Sequence, residues 1–148
     1  MVVRVQETAF DLGAEVKGFA EGCKNAGAVV TFTGLVRDLA SGNLDRMLIE
    51  HYPGMTEKAL SKIEAEAVKR WSLNESLIIH RHGMLRPGEI IMMVATASKH
   101  RKDAFEAAEF LMDYLKSRAP FWKQEFTNDG TEWVESKSED EAALGRWS

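Results

Sequence analysis

Hydrophobic and polar positions along the chain fall into short alternating runs and longer helical stripes. Val2–Gln6 alternates and reads as a strand. Asp11 can cap a helix running to about Lys24, with Leu12, Val16, Phe19 and Cys23 on one stripe. Ala28–Val36 is β-rich, and a polar loop, Asp38–Asp45, leads to a second strand at Arg46–His51. After the Pro53-Gly54 turn, Thr56–Trp71 reads as a helix with Leu60, Ile63, Ala67 and Trp71 inward. Ser76–His82 is a strand, and Arg86-Pro87-Gly88 turns the chain into Glu89–Ala97, apolar enough to be buried on both faces.

Ser98 can cap a third helix ending near Arg118, with Phe105, Ala108, Met112 and Leu115 as its buried stripe. Pro120 disfavours helix at Ala119 and stops it there. Lys123–Thr127 and Thr131–Glu135 then pair as a hairpin across Asn128-Asp129-Gly130. The order β-α-β-β-α-β, then β-α-β-β, predicts an α+β fold, and its first six elements suggest helices on one face of a mainly antiparallel sheet.

The chain has 148 residues, and residues 1–135 form the expected single domain. An acidic tail, 136–148, either moves freely or docks through Leu144 and Trp147. The formal net charge of −4 argues against a dedicated nucleic-acid binder while leaving room for a local basic pocket. No apolar run reaches the length of a membrane span, and MVVRVQETAF lacks the apolar core of a signal peptide. With Cys23 as the lone cysteine, a reducing, cytoplasmic setting is expected. His51, His80, His82 and His100 show no familiar ligand spacing, so neither a metal nor a cofactor is expected.

Several cations sit in unusual places. The third helix starts Ser98-Lys99-His100-Arg101, where acids are normally favoured. These side chains either splay into water or hold an anion together with the free amides of the helix start. Arg37 closes the first long strand in FTGLVRD; it either pairs with an acid such as Asp38 or contacts a ligand. Gly34, in the same strand, marks a bulge or a close approach. In KSRAPFWKQE, Lys116 and Lys123 flank the stiff apolar Pro120-Phe121-Trp122. Lys116 suits a helix C-terminus, whereas Lys123 opens a strand. Pro120 breaks the helix between them, so spacing leaves their convergence open.

Taken together, FTGLVRD, IEHYPGMTEKAL, HRHGMLRPGE, SKHRKDAFEA and DYLKSRAPFWKQE with DGTEWVE resemble the large, catalytic subunit family of molybdopterin synthase. The motifs stand in family order over Val2 to about Glu135. The resemblance implies an α/β hammerhead with extra C-terminal antiparallel strands. It implies a sulfurtransferase that converts cyclic pyranopterin monophosphate to molybdopterin by building a dithiolene. The implied sulfur donor is a small ubiquitin-like partner subunit with a Gly-Gly thiocarboxylate C-terminus. The implied assembly is a heterotetramer around a homodimer of large subunits. On this resemblance Lys116 and Lys123 match catalytic lysines, while Arg37, His100 and Arg101 match substrate-pocket residues. A slot beside Pro120, Phe121 and Trp122 would receive the partner's tail. Two other readings stand beside it: a non-catalytic anion-binding module of ferredoxin-like type, and an RNA-binding domain.

Overall fold

The computed structural model describes residues 1–134 and 138–147. Two four-stranded sheets organise the chain. The first has the order β1-β4-β6-β2, built from β1 (Val2–Gln6), β4 (Glu75–Arg81), β6 (Ile90–Ser98) and β2 (Ala28–Leu35). Only its β1–β4 pair is parallel. The second has the order β5-β3-β7-β8 and is antiparallel throughout, built from β5 (Gly83–Leu85), β3 (Leu44–His51), β7 (Phe121–Thr127) and β8 (Gly130–Trp133). This is the expected α+β class, with the expected additional C-terminal strands.

The helices lie on both faces of the first sheet, not on one. Side chains alternate along β4 and β6, so neighbouring residues face opposite ways. Leu77, Ile79, Met93 and Ala95 pack against Leu12, Val16 and Phe19 of α1 (Leu12–Glu21). Ile78 and Val94 face the main core instead, beneath α2 (Met55–Trp71) and α3 (Arg101–Ser117). Two-sided coverage explains why β6 is a nearly unbroken apolar run, as its sequence predicts. The α1 stripe stops earlier than expected, and Cys23 lies half-buried beyond the helix. Burial, then the Glu75 carboxylate, pushes its thiol pKa up, away from the reactive thiolate.

The third helix is rotated from its expected face. Ala104, Ala107, Ala108, Phe110 and Leu111 are buried, while Phe105 is 59% exposed. Alanines let the helix backbone approach the sheet closely, so the small-residue stripe wins over the bulkier one beside it. Met112 and Leu115 are only half-buried. Ser98 ends β6 and does not cap α3; the cap position is His100, whose side chain makes no capping bond. The Ser98 hydroxyl donates instead to the His100 carbonyl.

The final hairpin begins earlier than expected. Phe121 already pairs with His51, and Thr127 pairs with Gly130 across a two-residue Asn128-Asp129 loop. Gly130 has φ 135°, a conformation other residues rarely adopt, and so it opens β8 where a three-residue loop was expected to end. The expected strand end at Glu135 lies outside the described residues, as do tail positions 136, 137 and 148. The described tail docks. A short helix, α4 (Ser138–Leu144), leads to a 3-10 turn at Gly145–Trp147. Trp147 packs edge-on against Trp71 and Phe110, each at 5.5 Å between centroids, and its indole donates to Asp113 at 2.6 Å. Among the described residues, no helix is long and apolar enough to cross a membrane.

Glu64 on α2 is 2% exposed, and its Oε2 has no partner among the described residues. Burial pushes its pKa up to about 7, against the opposing pull of Ser76 and the N-terminal amine. An acid raised this way weakens the fold as pH climbs from about 4.5 to 7, because the unfolded chain ionises first. Glu64→Gln is therefore expected to raise the melting temperature at pH 8 by several degrees and to give no gain at pH 4.5, measured by thermal denaturation.

Candidate active site

Strand alternation decides which side chains of β7 face inward. His51 pairs with Phe121 and Ile49 with Lys123, so Phe121 and Lys123 share the inner face with the buried Ile49. Trp122 points the other way and is 48% exposed. Phe121 closes against the first sheet, where its ring stacks on His80 of β4 with centroids 3.7 Å apart and planes 16° from parallel. This stack joins the two sheets two residues before Lys123.

Beside it opens a narrow cleft of about 60 Å³, lined by β2 (Phe32, Gly34 and Leu35), by Ile91 and Met92 of β6, and by Met112 and Leu115 of α3. Three polar side chains reach the same space: His80, Lys116 and Lys123. The two lysines thus converge, one from the last turn of α3 and one from the inner face of β7. A Cβ on Gly34 would stand 3.2 Å from Met92 Sδ and 3.3 Å from its Cγ. The bare glycine keeps the cleft open, and the β2–β6 register shifts immediately after it.

The electrostatics suit proton transfer. Burial, then the charge of Lys116, lowers the Lys123 pKa to about 8, with Asp140 of α4 opposing. His80 is lowered much further, by burial first and then by Lys123, Lys116 and His51, and it stays neutral at physiological pH. The cleft therefore offers two amines and one neutral imidazole in an apolar lining, with Lys123 poised to exchange a proton near neutrality.

The remaining expected residues are placed differently. Arg37 is exposed just past the Gly34–Leu35 end of β2, in a shallow depression with Asp38, Leu39 and Ala40. Asp38 does not turn to it: its carboxylate accepts from the Leu39 and Leu44 amides at 2.7 and 3.1 Å. His100 and Arg101 are exposed at the start of α3. Lys116 lies at the other end of that helix, about 24 Å away at 1.5 Å per residue. Within this chain His100 and Arg101 do not reach the cleft. Pro120, Phe121 and Trp122 do not form one wall, because Phe121 turns inward and Trp122 outward. The apolar lining comes instead from Phe32, Leu35, Met92, Met112 and Leu115.

His80 escaped sequence reasoning as a site residue. Its only signal is position: two residues from His82 on a strand, it faces the same side as Ile78 and so the main core. What stands opposite it depends on the second sheet.

Residues 5–118 match the family model described as MoaE protein. A curated relative, the molybdopterin synthase catalytic subunit of Cereibacter sphaeroides, is 65% identical over 147 residues, covering 99% of this chain and all of its own. A solved structure of the molybdopterin biosynthesis MoaE protein from Burkholderia ambifaria superposes with a TM-score of 0.83 at 52% identity, covering 100% of this chain and 99% of that one. A molybdopterin synthase structure from Staphylococcus aureus matches with a TM-score of 0.79 at 32% identity, covering 89% and 96%.

A lysine whose folded pKa lies below its unfolded value costs stability whenever it is charged. Here the cost, up to about 3 kcal/mol, is present below pH 8 and vanishes as pH rises toward 10.5. Lys123→Met is expected to melt higher than wild type at pH 7, with the difference shrinking above pH 8 in parallel thermal scans.

Proposed function

The chain belongs to the MoaE protein family, that of molybdopterin synthase catalytic subunits, and from that premise we propose how its cleft performs the reaction. The protein converts cyclic pyranopterin monophosphate to molybdopterin, drawing the dithiolene sulfurs from the C-terminal thiocarboxylate of a small ubiquitin-like partner. The observation that carries this reading is the pairing of Lys116 and Lys123 in one narrow apolar cleft.

A Gly-Gly tail has no side chains, so it can thread a slot this narrow. Its thiocarboxylate is an anion, and the exposed Lys116 at the cleft edge offers the first positive charge it meets. Lys123 lies deeper. With a pKa of about 8, about a quarter of it is neutral at pH 7.5, enough to take or give protons as sulfur adds to the pterin and the cyclic phosphate ester opens. The apolar lining excludes water from the acyl group until transfer is complete. Arg37, at the same end of β2 as the cleft, suits the substrate phosphate.

His100 and Arg101 lie a helix length from the lysines of their own chain. They therefore serve the cleft of the second protomer in a homodimer, and one partner subunit at each outer end completes a heterotetramer. The uncapped start of α3 adds amide donors to this second cation set. The anion-binding module remains the alternative reading. It accounts for the cationic helix start but gives no use to a half-buried lysine with a lowered pKa.

Incubation with thiocarboxylated partner and pterin precursor should yield dithiolene product. Lys116→Ala and Lys123→Ala should each lower the rate by about 10²-fold or more, read as product per minute. Wild-type rates in both would refute the assignment. Mixing Lys123→Ala and Arg101→Ala proteins should restore about a quarter of wild-type activity, since half the dimers are hybrids and each carries one intact site. Cations acting within one chain would restore none.

A further inference from the structure

His80 is held in the core by two directed contacts. It is 4% exposed, and its ring is fixed on two sides. Phe121 stacks on one face at 3.7 Å, and Nδ1 lies 2.8 Å from the Arg81 carbonyl oxygen. A carbonyl can only accept, so Nδ1 carries the hydrogen and Nε2 keeps a bare lone pair. No side chain or backbone group among the described residues donates to Nε2, while the ring lines the cleft beside Lys116 and Lys123. Nε2 is not sealed in the core: the ring lines the cleft, so its lone pair is available to a donor there.

Two amines face the ring, and of these Lys123 acts on it more strongly. From α3 comes Lys116, from β7 Lys123, from β3 His51, while Asp140 of α4 acts on Lys123 rather than on the imidazole. No acid stands close enough to hold a proton on His80. Its surroundings supply donors, and the two amines are the donors nearest at hand.

We propose that His80 is a positioning residue of the lysine site: its Nε2 lone pair, which receives no hydrogen bond among the described residues, accepts one from the Lys123 amine when the sulfur-bearing tail enters the cleft, and aims that amine at the tail. The inference rests on the sulfur-transfer reading of the cleft. A neutral acceptor suits the task. A carboxylate there would pin Lys123 as an ammonium, and an apolar side chain would leave a flexible four-carbon stem unaimed. The same ring also seats β7 through its stack on Phe121, so amine placement and sheet closure share one side chain.

His80→Phe keeps the ring and the stack but removes the lone pair; His80→Gln returns an acceptor. His80→Phe is expected to melt within a few degrees of wild type. Its kcat should fall about 10- to 100-fold, with KM for the thiocarboxylated partner within about twofold. The inflection of the pH–rate profile assigned to Lys123 should move to lower pH, because the ammonium loses an acceptor. His80→Gln should recover part of kcat. A folded His80→Phe protein with wild-type kcat and an unmoved inflection overturns the proposal. If His80→Phe does not fold, Gln is compared with Leu at the same position: several-fold higher kcat for Gln supports the acceptor, and equal rates overturn it. Wild-type protein that forms no dithiolene product would instead refute the sulfur-transfer reading itself.

Discussion

An amine on the inner face of β7 must be held largely out of water, with Asp140 of α4 only partly offsetting the cost of its charge. Lys123 shares that face with Phe121 and pairs across the ladder with Ile49, which is 1% exposed. Burying an ammonium is unfavourable, and a second lysine nearby makes it more so. The chain accepts this because the sheet around the amine is closed by other means. Phe121 stacks on His80 of the opposite sheet, and the β3–β7 ladder runs from His51 to Leu44. What is lost in solvation reappears as a shifted proton equilibrium, which is what proton transfer near neutral pH needs.

The helices are arranged to make that site narrow. Alanines at 104, 107 and 108 draw α3 onto the first sheet, and this brings Met112, Leu115 and Lys116 to the rim of the cleft. Gly34 on β2 leaves unfilled the volume that any side chain would occupy against Met92. Close packing on one side and a missing side chain on the other leave a slot rather than a bowl.

The cations divide between the ends of the same helix. Lys116 serves the cleft at the C-terminus of α3, where the helix favours positive charge. His100 and Arg101 crowd the opposite end, where it does not. Within one chain these sets are a helix length apart. The tail adds a further tie near the cleft: Ser117 donates to the Asp140 carbonyl at 3.0 Å, and Arg118 pairs with Glu141 at 2.6 Å. Helix α4 is thereby fastened near Lys123, on which its Asp140 acts.

The sequence by itself determined the α+β class, most strand and helix positions, the bulge-prone Gly34, and the break at Pro120 that separates α3 from β7. These are local facts: periodicity, turn chemistry and charges out of place are written in neighbouring residues. Only the tertiary structure decided that α1 covers the far face of the first sheet, that α3 turns Phe105 outward, and that Trp122 lies on the wrong side of β7 to line a slot. It alone brought Lys116, Lys123 and His80 together. The reason is physical. A helix broken by Pro120 carries no phase into the strand beyond it, and His80 meets Phe121 only because two separate sheets close on each other.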